Sequence, residues 1–180
     1  MERACRVILI GMMGAGKSTV GRLLAHHTGW PFLDNDELLL QIVGKTPRAL
    51  LAEDGEETLR ASESAALRMG LASPAPSIVS AAGGVILDPD NRRDLQGDAA
   101  VIWLKANEAT VGQRAMGAAH RPWLDTGGAG WIRAAIAERN PLYASVADLM
   151  VEVDRSSSKK VAREILEWLQ RFEPCRSVLP

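Results

Sequence analysis

The stretch VILIGMMGAGKSTVGRLLA, residues 7–25, constrains the fold of this chain more than any other. It opens with four apolar residues, 7–10, bounded by a glycine, which read as a short buried strand. GMMGAGKS follows and fits G-x-x-x-x-G-K-[ST] at Gly11, Gly16, Lys17 and Ser18. From Lys17 to Thr28 the spacing of Val20, Leu23 and Leu24 predicts an amphipathic helix, stopped by Gly29. Strand, glycine loop and helix in this order build a cradle for phosphate. The glycines let several backbone N–H groups point at one anion, and the helix adds its positive end. Lys17 brings a mobile cation for the β- and γ-phosphates, and Ser18 offers a hydroxyl to Mg²⁺. Gly14, Ala15, Gly16, Lys17, Ser18 and Thr19 are therefore the candidate ATP contacts. The loop points to nucleotide binding and leaves the phosphate acceptor open.

Along the rest of the chain, apolar runs alternate with helical patterns, as in an α/β protein with a parallel sheet. Further strands are expected at 31–33, 77–81, 100–104 and 148–153. Helices are expected after the DND of residues 34–36, from Pro47 (with Thr46 as N-cap) to Gly70, after the cap Asn107, over 131–140, and over 159–172. Residues 117–130, GAAHRPWLDTGGAG, read as a long irregular insertion. The last residues read as a frayed tail. No repeat or linker divides the chain, so residues 1–180 are expected to form one domain.

Composition narrows the partners. Apolar residues make up 47% and charged residues 24%, with a net charge of -1, which suits a globular domain. A nucleic-acid binder would carry a basic stripe, and none is visible. No apolar run approaches the roughly 20 residues that span a bilayer, and the first glycine loop leaves no room for a signal peptide. Cys5 and Cys175 sit near opposite ends, outside any CxxC or metal spacing. They are expected to be unpaired, in a reducing, cytoplasmic setting.

In an open parallel sheet, ligands gather at the carboxyl ends of the strands. The second strand ends at Asp34 and Asp36. Asp34 suits the magnesium shell and Asp36 an acceptor hydroxyl, while either would also serve as a helix cap. The third ends at Gly83 and Gly84, which admit a ligand close to the backbone or simply make a tight turn. Arg60 with Glu63 reads equally as a surface ion pair, and Arg139 as a solvated helix residue.

The joint order of motifs resembles the shikimate kinases. GMMGAGKSTVGRLLA, FLDND, GEETLRASE, AAGGV, HRPWL and ERNPLY match that family's phosphate loop, F-x-D-x-D, G-E-x-x-F-R-x-x-E, triple glycine, R-P-L-L lid and E-R-x-x-x-Y, from about residue 7 to 169. The resemblance implies an α/β, three-layer P-loop kinase fold: a five-stranded parallel sheet flanked by helices, with a mobile lid at about 115–130. It implies that ATP, with Mg²⁺ held by Ser18 and Asp34, phosphorylates the 3-hydroxyl of shikimate. Asp36, Arg60, Glu63, Gly83, Gly84 and Arg139 would form the acceptor pocket, since two guanidinium forks suit a carboxylate. Lys17, Asp36 and Arg121 would be catalytic, Arg121 swinging in on the lid. Arg114 would stack on adenine, with Arg155 in a second adenine loop. A monomer is implied. The chain departs from the family at Leu59 (usually Phe), Ala82 (usually Gly) and Trp123 (usually Leu). Two rivals stay open: a kinase for another polyhydroxy acid such as gluconate, and a nucleotide-binding module without turnover.

Overall fold

The structure, a computed structural model, describes residues 5–97, 99–116 and 122–179; for residues 115, 116 and 122–127 it describes the backbone alone. Five parallel strands form the sheet: β1 (Arg6–Ile10), β2 (Phe32–Asp34), β3 (Ser77–Ser80), β4 (Ala100–Lys105) and β5 (Leu149–Glu152). Their order is β2-β3-β1-β4-β5. β1 is central. It pairs with β3 from Arg6↔Ser77 to Leu9↔Ser80, and with β4 from Val7↔Ala100 to Ile10↔Trp103. A strand with neighbours on both edges and helices on both faces has no solvent face, which is why β1 reads as an unbroken apolar run.

The helices are α1 (Lys17–Thr28), α2 (Asn35–Val43), α3 (Pro47–Leu71), α4 (Pro89–Leu95), α5 (Glu108–Met116), α6 (Pro122–Val146), α7 (Ser158–Leu169) and α8 (Glu173–Arg176). Their starts follow the capping chemistry. Thr46 accepts from the Ala49 N–H, Asn107 from the Thr110 N–H and Ser157 from the Lys160 N–H. α1 and α2 stop at Gly29 and Gly44 in the left-handed region. α1 lies so close to β2 that a Cβ at Gly21 would stand 2.2 Å from Phe32. A second, smaller apolar cluster gathers Leu38, Leu39, Leu50, Leu59 and Ala66 between α2 and α3. Leu59, where the family usually has phenylalanine, is thus an ordinary core residue of that cluster.

Four sequence expectations change. Residues 122–130 are less irregular than their composition suggests: α6 already runs from Pro122, and its break lies at Gly128 (φ 51, ψ -146). Residues 117–121, including Arg121, lie outside the described residues. α6 also continues through Pro141 to Val146. Ile132, Ala135, Arg139, Tyr143 and Val146 recur every three or four positions and are all buried, so tertiary burial outweighs the backbone bond that proline removes. α4, with its cap Asp88, was not expected at all. Finally, the tail is not frayed and the cysteines are not apart. α8 turns back so that Cys175, with no exposed surface, meets Cys5 at the foot of β1, and the two form a disulfide across 170 residues of sequence. Spacing along the chain carries no trace of this, because the contact exists only once α7 has packed against α1.

The disulfide links the amino end of β1 to the carboxyl-terminal segment, while the phosphate loop leaves the opposite end of the strand. In the chain-entropy account, a link across so long a loop is worth up to roughly 5 kcal/mol. Cys175→Ser is therefore expected to lower the melting temperature by roughly 5–15 °C, with the steady-state constants at low temperature unchanged. Two titratable thiols in the unreduced, denatured wild type would contradict the pairing.

Candidate active site

The loop after β1 curls because Gly11, Gly14 and Gly16 all take positive φ. Gly11 is the tightest: at φ +135, a Cβ would lie 2.4 Å from the Leu104 carbonyl oxygen of β4. No other residue fits there. The Lys17 ammonium donates to the carbonyls of Gly11 (2.8 Å) and Met12 (3.0 Å). Arg114 of α5 reaches across to donate to the Gly14 carbonyl at 3.3 Å. The loop is thus braced from β4 and α5 as well as by its own helix.

Beside it, β2 delivers Asp34. Its carboxylate accepts from Ser18 Oγ at 2.5 Å and from the Asp36 N–H at 3.1 Å. Asp34 therefore caps α2 and also reaches the phosphate loop; the two roles coexist, one per carboxylate oxygen. The Ser18–Asp34 pair is a hydroxyl and a carboxylate, the hard oxygen donors that Mg²⁺ prefers. Among the described residues no cluster of three or more His, Cys, Asp or Glu is placed to hold an ion.

A cavity of about 460 Å³ opens in front of these groups. Its lining joins Gly14, Lys17 and Ser18 of the phosphate loop and Arg114 to Asp34, Asn35 and Asp36, to Leu59 and Glu63 of α3, and to Ala82 and Gly83 after β3. Two regions that are remote in sequence, the phosphate loop and the α2–α3 arm, thereby face one space. Ala82 adopts no positive φ, so its side chain costs no backbone strain where the family usually has glycine.

Arg60 and Arg139, expected in the acceptor pocket, are not among the residues that line this cavity; Arg60 pairs with Glu63, and Arg139 acts on the same carboxylate. Arg60 donates to Glu63 at 2.7 Å through Nη1 and to Glu56 at 3.2 Å through Nη2. Burial would lower the Arg60 pKa, but Glu63 and Glu56 outweigh it and hold the guanidinium above its ordinary value. Glu63 is itself buried, and its pKa is raised: desolvation exceeds the pull of Arg60, with Asp36 pushing the same way as burial and Arg139 opposing. Arg139 is 5% exposed, with its guanidinium 5.4 Å from the Trp131 ring centre. The buried Arg139 and the half-buried Arg60 need a counter-charge, and Glu63 supplies it. Arg155 sits exposed in the turn before α7 and does not line the cavity.

Sequence reasoning missed two residues here. Asn35 is 1% exposed, and neither its Oδ1 nor its Nδ2 has a partner among the described residues. Its one signal was its place between two candidate carboxylates. Tyr143 is fully buried, donates to the Gly83 carbonyl at 2.7 Å, and has a pKa pushed well above the ordinary tyrosine range by burial.

Gly84 sets how near the backbone comes to this cluster. A Cβ there would stand 1.9 Å from Arg60 Nη1 and 2.9 Å from Glu63 Oε2. The obstructing atoms end a flexible arginine, so the fold survives while the guanidinium moves. Gly84→Ala is expected to leave the melting temperature within a few degrees of wild type. It should raise the acceptor KM by about tenfold or more, the worth of one charge-assisted hydrogen bond. A large drop in melting temperature with unchanged KM would contradict this reading.

Comparison with known proteins agrees with the motifs. The family model described as shikimate kinase matches residues 13–170. The chain is 38% identical over 167 residues to the shikimate kinase of Symbiobacterium thermophilum, covering 91% of this chain and 95% of that one. It is 36% identical over 166 residues to that of Moorella thermoacetica, covering 92% and 95%. Among solved structures, the Acinetobacter baumannii shikimate kinase in complex with shikimate superposes with a TM-score of 0.88 at 30% identity, covering 94% of this chain and 95% of that one. A gluconokinase from Sinorhizobium meliloti shares the fold at a TM-score of 0.61 and 19% identity, covering 96% and 95%.

Proposed function

Because the chain belongs to the shikimate kinase family, we propose that its site transfers the γ-phosphoryl group of ATP to the 3-hydroxyl of shikimate, giving shikimate 3-phosphate and ADP. One observation carries the acceptor assignment: the phosphate loop, Asp36 and Glu63 line a single cavity, with Arg60 paired to Glu63, so donor and acceptor meet without an intervening wall. Gluconate kinase chemistry shares the phosphate loop, and the gluconokinase likeness is one of fold alone.

Phosphoryl transfer needs alignment and charge neutralisation more than covalent help. The loop N–H groups and Lys17 hold the phosphates. To do so the Lys17 ammonium exchanges its carbonyl partners at Gly11 and Met12 for phosphate oxygens. Ser18 and Asp34 would hold Mg²⁺, which when bound neutralises phosphate charge. Asp36 accepts the hydrogen bond of the reacting hydroxyl and orients it; Arg60 and Arg139 draw the acid's carboxylate toward them, with Glu63 keeping both arginines in place. Arg114 packs against the adenine, with Arg155 near it, and Arg121 from the lid adds charge to the moving phosphoryl group once both substrates are in place. Asp36 on one side and the arginines around Glu63 on the other suit an acceptor that brings hydroxyl donors to one side and a carboxylate to the other.

Among the described residues no helix is long and apolar enough to cross a membrane. A monomer in the cytoplasm, binding neither nucleic acid nor membrane, fits the small-molecule substrates and the near-neutral net charge. The buried disulfide is shielded from thiol reductants by its own packing.

A coupled assay of ADP release tests this reading with shikimate and gluconate in parallel. Shikimate-dependent turnover with gluconate inert is expected, and folded protein that shows no response to shikimate refutes the assignment. Arg60→Ala and Arg139→Ala should each raise the acceptor KM by about a hundredfold, as loss of a paired charge-assisted contact implies. The ATP KM should stay within about twofold. Equal losses for both substrates would break the division of the cavity between donor and acceptor.

A further inference from the structure

We propose that Asn35 is a further acceptor-binding residue: its buried carboxamide turns toward the cavity to hold one of the acid's non-reacting hydroxyls, next to the hydroxyl taken by Asp36. This rests on the acceptor reading above and adds a residue to it.

Nothing local asks for an asparagine at this position. Asn35 is the first helical residue of α2, and the capping role belongs to Asp34, whose carboxylate receives the Asp36 N–H. Within a helix asparagine is a poor former. Packing does not ask for it either. The residue is 1% exposed, and both Oδ1 and Nδ2 are sealed from solvent without a partner among the described residues. The adjoining carboxylate is already engaged: Asp34 gives one oxygen to Ser18 Oγ and the other to the Asp36 N–H. An aliphatic side chain of the same shape would be easier to bury. The amide therefore serves something that the fold does not itself supply.

Its place narrows what that is. Asn35 lines the cavity, between Asp34, which reaches the phosphate loop through Ser18, and Asp36, another lining residue. The chemistry narrows it further, because one unmet amide atom is a donor and the other an acceptor. Ionised phosphate oxygens only accept, and a cation would occupy Oδ1 alone; each leaves half the amide unmet. A hydroxyl donates and accepts through one atom. An ionised carboxylate such as Asp36 accepts from a hydroxyl but cannot donate to it. Asn35 adds the donor that Asp36 lacks, so the two neighbours together suit vicinal hydroxyls on one ring. Since Asn35 is itself part of the lining, a turn of its side chain is all that the contact requires.

The test joins stability to binding. Asn35→Leu keeps the shape of the side chain and removes both polar atoms. Its melting temperature, measured without acceptor, should rise by a few degrees, because an unmet amide is no longer buried. Its acceptor KM should rise by about tenfold, with the ATP KM within about twofold. Asn35→Ala, which adds no bulk, should show the same rise in acceptor KM. Calorimetry then pairs each protein with shikimate and with analogues lacking one or other of the non-reacting hydroxyls. Loss of the hydroxyl that Asn35 holds should weaken binding to the wild type by about tenfold and leave binding to the two variants unchanged. A melting temperature lowered in both variants would mean that the amide is met within the fold or by an ordered water, and would overturn the proposal. So would an unchanged acceptor KM, an equal rise in both KM values, or deoxy analogues that fail to separate the variants from the wild type. If shikimate is inert and another hydroxy acid is phosphorylated, the proposed function fails, and the same comparison with that acid and its deoxy analogues still decides the role of Asn35.

Discussion

The hydrogen bonds that hold β1 between β3 and β4 underlie everything at the site. They fix where the phosphate loop begins. They also bring the Leu104 carbonyl against Gly11, so that the loop can leave the strand only by a glycine turn. The same ladder aligns the carboxyl ends of β2, β3 and β1, which carry Asp34, Gly83 and the loop itself. Because the strands run parallel, each chemical group enters the cavity from a different crossover. Neighbours in space at the site are thus distant in sequence.

On the acceptor side, the governing constraint is desolvated charge. Glu63 and Arg139 are withdrawn from water, with Arg60 half-buried beside them and Asp36 near. None would be tolerable alone. Glu63 neutralises the arginines, and its raised pKa measures how much burial opposes that role. On the proposed reading, this cluster meets an anionic ligand with little further ordering. Gly84 leaves room for it by omitting a side chain, and Tyr143 holds the neighbouring Gly83 carbonyl.

Sequence legibility followed the range of the interactions. The phosphate loop was readable to the residue, because its geometry is dictated by glycine and by a strand and helix that adjoin it. The caps Thr46 and Asn107 were readable for the same reason. Asp34 was readable as a polar strand end, although its double role as cap and Ser18 partner needed both elements in place. Arg60 and Arg139 were found by motif, yet their absence from the cavity lining was not, since a string of residues says nothing about which of two charges faces a cavity. The passage of α6 through Pro141 was lost because local propensity argued against it and burial of one helical face overruled it.

By itself, the sequence determined the strand–loop–helix cradle, the parallel α/β order and the inventory of charged groups that a kinase of small acids needs. All of these rest on contacts between residues close along the chain or on residue types with few roles. Tertiary structure alone decided the pairing of Cys5 with Cys175, the buried amide of Asn35, and the bond from Tyr143 to the Gly83 carbonyl. Each of these is a contact between segments joined only by the closing of the sheet and its helices, and its energy does not exist until water has been driven out from between them.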